Sequence, residues 1–109
     1  MNDLAKPPIL FEIPAPLSEK VPTRNFGIVT MTSPPPHVIE KVFGNQVNGK
    51  DDEAPYRELV AECARGEKGE RFTAGLLANL PGQCFGDWLD LRSSVVRVCG
   101  LNREAVAKN

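Results

Sequence analysis

Gln83-Cys84-Phe85-Gly86-Asp87-Trp88-Leu89-Asp90-Leu91-Arg92-Ser93-Ser94-Val95-Val96-Arg97-Val98-Cys99-Gly100 is the stretch on which the fold turns. Apolar side chains recur in it three and four positions apart. That spacing predicts an amphipathic helix over 83–99, stopped by Gly100. Phe85, Trp88, Leu89, Val96 and Cys99 fall on one face, and Cys84, Leu91, Val95 and Val98 widen it. Asp87, Asp90, Arg92, Ser93 and Arg97 take the other side. Trp88, with Phe85 and Leu89 beside it, is expected to anchor the core.

Upstream of this helix, Pro81-Gly82 ends a shorter helix expected over 73–80, whose apolar residues are Leu76, Leu77 and Leu80. A polar connector with Gly66 and Gly69 separates it from another helix over 55–64. Tyr56, Leu59, Val60 and Cys63 form the buried stripe there. The acids Asp51, Asp52 and Glu53 precede it, where negative charge suits the helix dipole. Residues 44–54 read as loop, with the turn dipeptide Asn48-Gly49. Before them, Ser33 and Pro34-Pro35-Pro36 open a helix over 37–43. Val38, Ile39, Val42 and Phe43 line one side of it, and Gly44 stops it.

The N-terminal third is a different kind of sequence. Eight of the ten prolines fall in residues 1–36, which excludes a helix there. Two strands are expected instead, at 9–13 (Ile-Leu-Phe-Glu-Ile) and 26–32 (Phe-Gly-Ile-Val-Thr-Met-Thr). In the second, Phe26, Ile28, Thr30 and Thr32 share one face, and Val29 and Met31 the other. The polar stretch 17–25 reads as the turn between them. The fold class is therefore α+β: a short N-terminal two-stranded β segment followed by about four helices, the last one the core helix. One domain is expected over 9–100, between flexible tails at 1–8 and 101–109.

Composition narrows the function. The chain has 109 residues, 41% of them hydrophobic and 25% charged, with net charge −1. That balance lacks the basic excess of a nucleic-acid-binding protein. No apolar run approaches the roughly 20 residues a membrane span needs. Met1-Asn2-Asp3-Leu4-Ala5-Lys6 has neither the basic nor the apolar region of a secretory leader, so a cytoplasmic location is expected.

Chemistry finds little to work with. The lone histidine, His37, stands beside three prolines with no nucleophile in view. The three cysteines, Cys63, Cys84 and Cys99, are 21 and 15 residues apart, which fits neither a zinc site nor a disulfide framework. Cys84, at a helix N-terminus, is the best placed for thiol reactivity. Asp51, Asp52 and Glu53 lack the alternation of a calcium loop, and the glycines lack the Lys-Ser/Thr of a phosphate loop. Neither a catalytic residue nor a cofactor or metal is expected. Protein binding is the reading left, with Val38, Phe43, Tyr56 and the loop 44–54 as the candidate surface.

Two stretches resemble small tail assembly chaperones of long-tailed phages and prophages. One is Phe26-Gly27-Ile28-Val29-Thr30-Met31-Thr32 with the proline-bearing helix start behind it. The other runs from Phe72-Thr73-Ala74-Gly75-Leu76-Leu77-Ala78-Asn79-Leu80-Pro81 through Asp87-Trp88-Leu89. Family members carry a short helix, Leu-Pro and a final amphipathic helix. This chain departs from them in having Cys84 and Phe85 where an acid is common, and in its heavier proline run. The resemblance implies binding of tail tube or tape measure protein before polymerisation, and absence from the finished virion. It also implies a longer frameshifted form, for which Ala107-Lys108-Asn109 is compatible with a slippery heptamer. The alternatives are a small structural virion component or adaptor, a thiol-redox protein working through Cys84 and, last, a nucleic-acid binder.

Overall fold

The computed structural model describes residues 6–44 and 52–101. Among these, two strands form an antiparallel hairpin, β1 (Ser18–Pro22) and β2 (Ile28–Thr32). Helices α1 (Pro36–Gly44) and α2 (Ala54–Cys63) follow. A two-residue strand, β3 (Ala64–Arg65), then pairs with the far side of β2. A short helix α3 (Ala74–Ala78) and a 3₁₀ turn (Gly82–Cys84) lead into α4 (Phe85–Val98). The fold is α+β, a three-stranded antiparallel sheet in the order β1-β2-β3 with four helices.

The first strand is not where the sequence places it. Residues 9–13 are extended but unpaired, and β1 lies in the stretch read as turn. The reason is local. Pro14 and Pro16 fix their own φ and hold Ile13 and Ala15 extended, which opposes a reversal there. The five residues after β1, 23–27, close tightly instead. The Thr23 N–H and hydroxyl both donate to the Gly27 carbonyl, at 2.9 and 2.7 Å, and the Phe26 N–H donates to Thr23 Oγ1. Gly27 sits at φ +72°, a conformation natural to glycine. β1 is a polar strand with one buried apolar residue, Val21, paired with Val29.

Val21, Val29 and Met31 share the sheet face that α4 and α2 cover. Leu59, Val60 and Cys63 come down from α2 to meet Trp88, Leu91, Val95 and Val98 of α4. Fully burying a side chain such as Leu59 or Leu91 stabilises the fold by about 1.5–3 kcal/mol. The α2 and α4 assignments match the sequence reading to within a residue or two. The short α3 is capped by Thr73, whose hydroxyl accepts from the Leu76 N–H at 3.0 Å.

The buried side of α4 is rotated from the expected one. Its core positions are Cys84, Asp87, Trp88, Leu91, Ser94, Val95 and Val98, whereas Phe85 is 61% and Leu89 45% exposed. Asp87 explains the rotation. Its carboxylate accepts from the backbone N–H groups of Arg24 and Asn25, at 2.8 and 2.9 Å, and from Asn25 Nδ2 at 2.8 Å. The aspartate thus caps the β1–β2 turn from inside the molecule. Burial pushes its pKa up, but these three donors outweigh that and hold the carboxyl below its ordinary 3.8.

Candidate protein-binding surface

Phe43 on α1 and Tyr56 on α2 are half-buried and meet edge to face, ring centres 5.9 Å apart. The Arg92 guanidinium lies 4.2 Å over the Tyr56 ring, a cation–π contact, and its Nε donates to the Glu53 carboxylate at 2.8 Å. Arg92 is on α4, so this cluster joins the end of α1 and the start of α2 to the middle of α4. Leu89 and Phe85 stand three and seven residues before Arg92, on the same flank of α4. Phe85 also borders a cleft of about 210 Å³ with Leu80, Pro81 and Trp88. The result is an apolar stripe, Phe85–Leu89, continuing through Arg92 onto Tyr56 and Phe43.

Two of the three residues singled out from sequence therefore belong to one patch. Val38 lies elsewhere. It is half-buried in a cleft of about 400 Å³ between α1 and α2, among His37, Lys41, Glu58 and Glu62. The loop expected to share in binding falls mostly at 45–51, outside the described residues. Phe85 and Leu89 escaped the sequence reading because they were assigned to the core. A signal was present: Asp87 lies between Cys84 and Leu91 on the face that is in fact buried, and a buried acid needs donors.

The thiols occupy less open positions. Cys84 is buried in the 3₁₀ turn before α4. Cys63 and Cys99, at the C-terminal ends of α2 and α4, face each other. The Cys63 thiol donates to the Cys99 sulfur, which raises the Cys63 pKa, as does burial. The same hydrogen bond lowers the pKa of the half-buried Cys99. Among the described residues, no group of three or more His, Cys, Asp or Glu is placed to hold a metal ion. No helix among them is long and apolar enough to cross a membrane.

No known protein family, curated protein or solved structure matches this chain.

Proposed function

We propose that this protein is a non-enzymatic binding protein of the phage tail assembly type, which holds tail tube or tape measure protein ready for polymerisation in the host cytoplasm. The observation that carries the reading is the Phe85–Leu89 stripe with Tyr56 and Phe43 beside it. An aromatic and aliphatic centre next to an arginine has the make-up of a protein-binding hot spot. The resemblance of 26–32 and 72–89 to tail assembly chaperones supplies the partner class.

The test is co-expression with the tail tube and tape measure proteins of the phage or prophage that carries the gene. Recovery of either as a soluble complex, lost in Phe85→Asp/Leu89→Asp, supports the reading. Failure of both to bind the wild-type chain sinks it. Mass spectrometry of purified virions then separates a chaperone, which is absent from them, from the alternative of a structural component that stays.

A further inference from the structure

Residues 9–13 are the least satisfied part of the described chain. Ile9, Leu10, Phe11 and Ile13 are 77–101% exposed, and no backbone hydrogen bond ties the segment to the rest of the described residues. Yet its composition is that of a strand: Ile9, Phe11 and Ile13 alternate onto one face, with prolines on both sides. The four apolar side chains of the arm thus stand almost fully in solvent. Pro14 and Pro16 oppose folding the arm back onto its own sheet.

The molecule also carries an unfilled acceptor. β1 ends the sheet, so its outer edge has no strand against it. It is five residues long, as is the arm, and follows it after a four-residue link. We propose that the segments 9–22 of two copies of this chain pair antiparallel, the arm of each adding a strand to the β1 edge of the other. Antiparallel pairing of identical segments is symmetric about one residue. Placing the two-fold axis at Pro16 sets Phe11 opposite Val21, Glu12 opposite Lys20 and Ile13 opposite Glu19, and both arms are satisfied at once.

Charge favours this register. Glu12 and Lys20 have no charged partner among the described residues, and the pairing joins them twice in the dimer. Ile9, Phe11 and Ile13 then lie on the side of Glu19 and Val21, at an open cleft of about 420 Å³ between β1 and α4 where Val21 and Pro22 are the apolar lining and Asp90, Ser93 and Arg97 the polar one. Specific interfaces begin at roughly 1,000 Å² of buried surface, and the two-fold pairing brings the nearly fully exposed Ile9, Leu10, Phe11 and Ile13 to it twice. A short edge strand carrying a lysine resists chance pairing, and Glu12 answers that lysine. None of these residues belongs to the Phe85–Leu89 stripe, so the inference stands or falls separately from the proposed function.

Sedimentation equilibrium of the full chain, with circular dichroism to verify folding, decides it. The wild type is expected to be a dimer, and Phe11→Asp a folded monomer. Glu12→Lys should weaken the dimer about fivefold for each of the two pairs, and Glu12→Lys/Lys20→Glu should restore it. A wild-type chain that stays monomeric at about 100 µM, a standard far above specific-complex affinities, overturns the exchange. So does a dimer indifferent to Phe11→Asp. A double charge reversal that binds no better than Glu12→Lys overturns the register.

Discussion

Asp87 is the residue that ties the sheet to the core helix, and its removal has a definite consequence. Asp87→Ala leaves the part-buried N–H groups of Arg24 and Asn25 without their acceptor. The expected loss of stability is about 1–3 kcal/mol, measured by urea unfolding. The pH dependence has a definite sign. A carboxyl whose folded pKa is depressed contributes stability above its unfolded pKa and loses it as pH falls through the folded value. Asp87 is held below its ordinary 3.8. Glu19 is held below its ordinary 4.5, chiefly by the Arg97 side chain that it accepts from at 2.6 Å. Stability should therefore be level above about pH 5 and fall below pH 4. Asp87→Asn should flatten part of that fall. Among the thiols, Cys99 is expected to react first with a maleimide, because it is the least buried and most acidic of the facing pair. Mass mapping of the first label reads this directly; first labelling of Cys84 would instead favour thiol chemistry at the head of α4.

At the scale of elements, the helices were legible and the sheet was only half so. The Leu59–Val60–Cys63 stripe and the Leu-Pro-Gly break before α4 set α2, α3 and α4 within a residue or two. Val29 and Met31 were correctly grouped on one face of β2. β1 was not legible, because Ser18-Glu19-Lys20-Val21-Pro22 has one apolar residue and owes its pairing to the turn behind it. Residues 9–13 have the composition of a strand but form none among the described residues, because no strand lies beside them. The rotation of α4 was hidden because Phe85, Leu89 and Val96 form a second apolar stripe as regular as the buried one, and only the turn's demand for Asp87 chooses between them. The tight turn carries its own test. Gly27→Ala places a Cβ 2.5 Å from Glu67 Oε1 and forces φ +72° on a residue with a side chain. It should destabilise the hairpin by about 1–2 kcal/mol, read as a lowered midpoint of thermal unfolding.

Among the described residues of the whole molecule, exposed large apolar side chains group in the arm at 9–13 and on the flank of α4, with Leu17, Ile28 and Leu76 standing apart. We read the first as the surface for a second copy and the second as the surface for a tail protein. The sequence reading names Val38, Phe43 and Tyr56 as candidate surface and assigns Phe85 and Leu89 to the core; the buried Asp87 is the residue whose pattern distinguishes the two faces of α4. Removing exposed side chains leaves a fold intact, so Phe85→Asp/Leu89→Asp should change unfolding free energy by less than about 1 kcal/mol. Leu59→Ala, by contrast, should cost about 2–5 kcal/mol.

The most direct measurement of the central claim is the soluble yield of tail tube protein, and separately of tape measure protein, co-expressed with the wild-type chain or with Phe85→Asp/Leu89→Asp. The account predicts that the wild type keeps one of them soluble in a complex that co-purifies. It predicts that the doubly substituted protein, equally well folded, does not. Equal yields with the two proteins, or no complex with either tail protein, would contradict it.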